Sequence, residues 1–346
     1  MNNFLKKAKE WLGFFLKDPF FLNRWEQTWY SRPRNDNQLS VRITGQYRRK
    51  AYPYHGDSHM FVEDMYTGIM PFMIYRGERE KYPARIEPAS SPQKQRMLAS
   101  GISQRDHAHF LEDALCEFVR TTAHSLLSDG VVFYEIIYKK NEAGEIESFD
   151  FELLQPFYLF RIGKNYYQVV HWWEARESHI RAQIIKIPVE KILRIDLPKG
   201  YGSRRKIYRI LKRLYQLSKD LIPEFQMQAM GKNENIGFDH DEFSRAKYLE
   251  VAKLTKKYGW NQRQRSGDYI TEYYQMVRFL REKKTEAAIR SHIIEKLNEA
   301  LNRPPLNLNA TVTIENLFTV EQVEEQEKLL EKGNVKFMDI FNALKI

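Results

Sequence analysis

Asp239-His240-Asp241-Glu242 is the densest run of metal-ligating side chains in this sequence. Three carboxylates and an imidazole that close could converge on Mg²⁺ and activate water against a phosphodiester, provided the fold brings in a further acid. The same residues have a structural use. Asp239 and Asp241 precede a helix expected over 243–258, and carboxylates at a helix N-terminus meet the positive end of its dipole. The histidines offer less. His107 and His109 stand two apart, so a helix would point them to different faces, and His55 and His59 fall in a stretch without periodic pattern. The sequence contains no phosphate-binding GxxxxGKS/T loop, no GxGxxG, no GxSxG and no HExxH, which removes the common signatures of nucleotide, serine-nucleophile and zinc chemistry. The expectation is a protein with no catalytic residues, no metal and no cofactor. The alternative is a metal-dependent nucleic-acid-processing enzyme using Asp239, Asp241 and Glu242.

Charge is the stronger signal. The 346 residues carry 55 Lys+Arg against 45 Asp+Glu, a formal net charge of +10. Residues 199–284 alone hold 20 Lys+Arg and 10 Asp+Glu, so this stretch accounts for an excess as large as that of the whole chain. One cluster is Arg204, Arg205, Lys206, Arg209, Lys212 and Arg213, with no acid anywhere in 203–219. A second is Lys256, Lys257, Arg263 and Arg265, interleaved with Tyr258 and Trp260. Surfaces of this kind attract polyanions through counterion release and read no sequence, although an ordinary solvated helix face looks the same. Near the C-terminus the balance reverses: Glu321, Glu324, Glu325, Glu327 and Glu331 oppose Lys328 and Lys332. A basic and an acidic pole on one chain suit head-to-tail contact between copies.

The elements that must position these residues follow from periodicity. Residues 1–60 are basic and aromatic, with seven Trp or Phe between Trp11 and Trp29, among them Phe14, Phe15 and Trp25. They read as an arm whose rings join subunits. Phe4 to Leu22 is the most apolar stretch, but six charges interrupt it, so an amphipathic helix is expected and no membrane span; a membrane-surface helix or a basic scaffold-like interaction protein is the other reading. A single cysteine, Cys116, excludes an intrachain disulfide. A helix is expected over 106–127, strands over 131–138, 146–154, 166–173, 180–187 and 192–197, and a helix from Ser203 with Ile207, Ile210, Leu211, Leu214, Leu217 and Leu221 on one face. Residues 60–105 read as a short apolar run and a proline-marked loop. Residues 269–274 read as a strand, 284–302 as a long helix ending at Pro304-Pro305, 311–317 as a short strand and 319–331 as an acidic helix. The class is α+β.

The order of segments between Cys116 and Met230 resembles the portal proteins of tailed bacteriophages. The residues that carry the resemblance are Leu127-Ser128-Asp129-Gly130-Val131-Val132-Phe133-Tyr134-Glu135, a helix running through glycine into a strand with an aromatic-Glu step. The turn Asn141-Glu142-Ala143-Gly144 follows, then Leu154-Gln155-Pro156, then Ile187-Pro188-Val189-Glu190-Lys191-Ile192-Leu193, then Gly200-Tyr201-Gly202-Ser203 opening a long helix. Val320 to Asp339 is similar to the family's closing helix, glycine and short apolar segment.

The resemblance implies a portal-like fold: a strand-rich wing at 61–200 after the arm at 1–60, stem helices and a clip at 201–302, and a small helical crown or channel-proximal part at 303–346. It implies a non-enzymatic homo-oligomeric ring of about twelve copies at one capsid vertex, threaded by double-stranded DNA during packaging and ejection. The implied partners are the terminase motor, a head–tail adaptor, and the major capsid and scaffolding proteins, with no membrane; the location is the virion, and the host cytoplasm during assembly. The residues expected to face nucleic acid or the motor are Arg204, Arg205, Arg209, Lys212, Arg213, Lys256, Lys257, Trp260, Arg263 and Arg265. Those expected at subunit interfaces are Trp11, Phe14, Phe15, Trp25, Trp29, Glu321, Glu324 and Glu325.

Overall fold

The computed structural model describes residues 56–70, 79–89, 91–103, 110–154, 156, 159–170, 183–218, 240–262 and 271–344, together with four short strands within 25–49. These four are β1 (Trp25–Gln27), β2 (Tyr30–Ser31), β3 (Ile43–Thr44) and β4 (Tyr47–Arg49); β1 pairs with β4 and β2 with β3, both antiparallel. The rest of the arm, with Trp11, Phe14, Phe15 and Trp29, lies outside the described residues.

The centre of the molecule is a helix that runs directly into a strand. Helix α1 (Asp57–Thr67) and helix α2 (Pro92–Ile102) flank helix α3 (Leu111–Asp129). The latter presents Ala114, Leu115, Phe118, Val119, Ala123, Leu126 and Leu127 to the core at helical spacing. It stops at Gly130, whose φ of 74° is left-handed and whose N–H bonds Leu126 O at 2.9 Å. A Cβ at Gly130 would also stand 2.6 Å from Arg204 Cα. Strand β6 (Val131–Lys140) starts at the next residue.

β6 is buried on both faces, as its continuous β-branched and aromatic sequence demands. It is the middle of a three-stranded antiparallel sheet, flanked by β7 (Ile146–Leu154) and β11 (Ile192–Asp196). Val132, Tyr134 and Ile136 join the main core with Phe118 and Phe151, and the Tyr134 hydroxyl bonds Thr122 Oγ1 at 2.8 Å. Val131 and Phe133 face the other way, where they pack with Leu159, Tyr166, Ile185 and Ile187. Those residues belong to a second antiparallel sheet of β8 (Leu159–Ile162), β9 (Asn165–Val170) and β10 (Gln183–Pro188).

Helices follow. Helix α4 (Arg204–Ser218) buries Ile207, Ile210, Leu211, Leu214 and Leu217, and Ser218 Oγ accepts the Asp57 N–H at 2.7 Å, tying its end to the start of α1. After α5 (His240–Leu254), helix α6 (Glu272–Asn302) runs 31 residues, about 46 Å at 1.5 Å per residue. Its first half packs on α7 (Val320–Glu331) and α8 (Phe337–Leu344) through Met276, Leu280, Val323, Leu330, Ile340 and Leu344. Its second half enters the main core. There Asn298 and Asn302 each give and take a hydrogen bond with the backbone of Val312 and Ala310, at 2.8–2.9 Å. These hold β12 (Thr311–Ile314), whose other edge pairs with β5 (Ala84–Glu87).

The fold is mixed helix and sheet as expected, with two corrections. Residues 272–274 are the first turn of α6, begun by Thr271 Oγ1 accepting the Tyr274 N–H at 3.2 Å, and not part of a strand. Within 60–105 the described residues include two helices that were not expected: α1 reaches into the start of the stretch and α2 occupies 92–102, with Pro92 opening it at a position where its missing N–H has no helical partner to lose. One core joins Phe61, Phe118, Leu214, Leu297 and Val312.

Candidate functional site

α4 separates most of its residues into an inner apolar and an outer basic face. With the leucines and isoleucines inward, Arg204, Arg205, Lys206, Arg209 and Lys212 are exposed. Arg213 differs: it is half-buried and its guanidinium lies 3.6 Å from Glu250 Oε1 on α5. Its charge is partly satisfied inside the chain.

The second basic cluster sits on the turn after α5. Lys256 and Lys257 are exposed, and Lys257 Nζ lies 5.8 Å from the Tyr201 ring centroid. The turn is fastened underneath. Tyr258 donates to Tyr201 O at 2.6 Å, and burial raises its phenol pKa. Gly259, at φ 78°, lies so close to the α6 backbone at Arg278 and Glu282 that a Cβ would collide with it. The fully buried Arg278 bonds Ala252 O and Thr255 Oγ1, each at 2.9 Å, and Trp260 O; burial lowers its pKa.

Trp260 is therefore no stacking platform. It is 2% exposed, stands edge-on to Phe61 at 5.4 Å and gives its indole N–H to Asp64 Oδ2 at 2.9 Å. A large ring beside a basic loop was the signal for an aromatic nucleic-acid contact; the packing of α1 against the turn claims the ring for the core. Arg263 and Arg265 lie outside the described residues.

The fold adds cations that no local cluster reveals. An open cleft of about 510 Å³ is bounded by Lys206 of α4, Lys253, Lys256 and Lys257 at the end of α5, and Arg281 and Lys284 of α6. Tyr201, Ile210, Leu254 and Tyr258 form its apolar walls, and Glu327 of α7 is its one acid. Glu327 and Glu324 hold Lys284 at 2.8 and 3.1 Å. Lys253 of α5 stands 28 residues before Arg281, which shares one face region of α6 with Lys284, and only the tertiary packing brings the two helices' cations together.

Of the acidic residues expected at a subunit interface, Glu324 is thus engaged within its own chain, while Glu321 and Glu325 are exposed on α7. The backbone N–H at the helix start draws the Glu321 carboxyl pKa down. Trp25 lies on β1, where its backbone pairs with Arg49. Asp241 and Glu242 occupy the first turn of α5, while Asp239 lies outside the described residues. Among the described residues no group of three or more His, Cys, Asp or Glu side chains is arranged to hold a metal, and no helix is long and apolar enough to cross a membrane. Below the turn, Arg278, Glu282, Glu286 and Arg290 recur every four residues on the inner face of α6. Lys283 Nζ pairs with Glu286 at 2.9 Å, and Arg290 bonds Ile69 O at 2.9 Å and Phe318 O.

No protein-family model matches the chain, and no curated protein matches it. Among solved structures it is similar to the crystal structure of an HK97-family phage portal protein from Corynebacterium diphtheriae. The two share 9% identity at a TM-score of 0.36, over 77% of this chain and 92% of that one.

Proposed function

We propose that this chain is the portal subunit of a tailed bacteriophage, a non-catalytic ring component through which double-stranded DNA is packaged and ejected. The observation that carries the reading is the ordered set of portal-like segments and the way they fold together. Leu127 to Glu135 is the junction of α3 with β6. Asn141 to Gly144 is the tight turn to β7. Ile187 to Leu193 links β10 to β11, beside β6, and Gly200 to Ser203 leads into α4. Segments scattered over some eighty residues of sequence thus build one unit. The exposed basic face of α4 gives that unit a surface for phosphate backbone or for an acidic motor subunit, read by charge and not by base edges. The arm and the exposed Glu321 and Glu325 are the proposed contacts between copies.

Native mass spectrometry with negative-stain imaging of the purified chain tests this. A closed ring of several hundred kilodaltons with a central channel supports the portal; a stable monomer or dimer across the accessible concentration range sinks it. The same preparation, incubated with DNA and Mg²⁺, should release no cleaved product. Cleavage abolished by Asp241→Ala would replace the portal with the nuclease.

A further inference from the structure

The cleft between α4, α5 and α6 is a different feature from the open basic face. Six cations border a concavity of about 510 Å³, within the size range of small-molecule sites. Lys284 is neutralised there by Glu324 and Glu327. Among the described residues none of the other five, Lys206, Lys253, Lys256, Lys257 and Arg281, is ion-paired with a carboxylate. The C-terminal dipole of α5 accounts for tolerating cations at 253–257. It does not account for Lys206 and Arg281 arriving from other helices. Like charges crowded into one cleft repel, and that arrangement is relieved by a compact anion carrying several charges.

We propose that this cleft binds an oligophosphate, a chain of phosphate groups either free or attached to a nucleoside. The chemistry fits in three respects. Ammonium groups present rotatable donors that follow phosphate oxygens without fixed geometry, and the guanidinium of Arg281 adds a bidentate fork. Several phosphates in a row place as many negative charges within the cleft as it has uncompensated cations, which single carboxylates spaced along a peptide do not. The walls of Tyr201, Ile210 and Leu254 offer an apolar side to a sugar and base, while the Tyr258 hydroxyl is already committed to Tyr201 O and leaves recognition to the cations. A duplex is convex and presents its phosphates on the outside of a rod, so it touches the rim and not the interior. The site stands independently of the ring reading.

Isothermal titration of the full-length chain with sodium tripolyphosphate at low salt is the test, followed by ATP without Mg²⁺ and by a short oligothymidylate. Saturable tripolyphosphate binding at one site per chain is expected. Lys253→Gln with Lys257→Gln, both exposed positions, should weaken it by about tenfold or more, and salt should weaken it further. Arg205→Gln with Arg209→Gln, on the open face, should change it by less than about twofold. Tighter binding of ATP assigns the nucleoside a place against the apolar wall; equal binding assigns the site to the phosphate chain alone. The proposal is overturned if the folded wild-type chain binds no tripolyphosphate, if the open-face variant loses as much as the cleft variant, or if only the oligothymidylate binds. Particle size measured on the same samples reports on the ring separately, so either idea can fail without the other.

Discussion

α4 and α6 are the two most basic helices of one basic stretch, and they use their charge in opposite ways. α4 turns Arg204, Arg205, Arg209 and Lys212 to solvent and keeps only hydrocarbon inside. α6 buries Arg278 and Arg290 completely or nearly so, and spends their donors on the carbonyls of Ala252, Trp260, Ile69 and Phe318. A charge count over the two helices cannot separate these roles. Burial does: an arginine that closes the open ends of other elements is a structural cross-brace, and one whose side chain stands exposed on a helix face can be reached by a partner.

The largest expected effect breaks the buried side of this comparison. Arg278→Ala leaves Ala252 O, Thr255 Oγ1 and Trp260 O without their donor and opens a cavity, at a cost of about 3–5 kcal/mol. Urea denaturation followed by tryptophan fluorescence measures it; a loss no greater than that of a surface substitution would mean the guanidinium is not a brace. Next is Gly130→Ala, which forces a β-carbon both into left-handed backbone and against Arg204 Cα, and should cost about 2–4 kcal/mol. It tests whether α4 owes its position to that contact. A melting temperature unchanged from wild type would show that the two helices have slack between them.

Third comes the pH dependence of the stripe. Burial raises the Glu282 carboxyl to about 7, with Glu286 and Asp64 adding to the rise and Lys283 and Arg278 opposing it. A carboxyl whose folded pKa lies above its unfolded value binds more protons when folded, so its contribution to stability falls as pH rises from about 4.5 through 7. Glu282→Gln should remove that slope and leave the variant more stable than wild type at pH 8, by up to about 3 kcal/mol. Parallel pH–stability curves for the two proteins would contradict it. The smallest effect on the fold belongs to α4. Replacing Arg205, Arg209 and Lys212 by Gln should shift stability by no more than about 0.5 kcal/mol per site, while retention on a heparin column at low salt drops. Unfolding of this variant would show that the exposed face has a structural partner.

Much of the sheet could be read ahead of the structure, because β6 carries β-branched and aromatic residues in a run too apolar for a solvated face, β7 and β11 interleave buried apolar residues with polar ones, and Gly130 and Gly144 mark their ends. The helical stop and start around Pro304 and Thr319 were equally plain. What escaped depended on tertiary context. Pro88 and Pro92 suggested loop, yet Pro92 is helix-compatible at the one position it takes. The tyrosines at 273–274 favoured a strand until the Thr271 cap and the burial of Met276 and Leu280 decided for helix. Of the site, the outward face of α4 and the pair Lys256–Lys257 were legible from local spacing. Trp260 was misassigned because its partner Asp64 lies 196 residues away, and the contributions of Lys253, Arg281 and Lys284 to one cleft have no local signature.

The short ribbon of β5 and β12 has a consequence for crowding. A strand with one unpaired side is a template for the next copy, and the hazard grows with the number of identical chains held side by side. Here the outer side of β12 is occupied by Asn298 and Asn302, whose amides copy the donor and acceptor of a neighbouring peptide unit. On the far side of β5, Glu112 Oε1 takes the Ala84 N–H at 3.2 Å. Two side-chain amides thus cap the β12 margin and a carboxylate takes one N–H of the β5 margin, which narrows that route to indiscriminate backbone zippering.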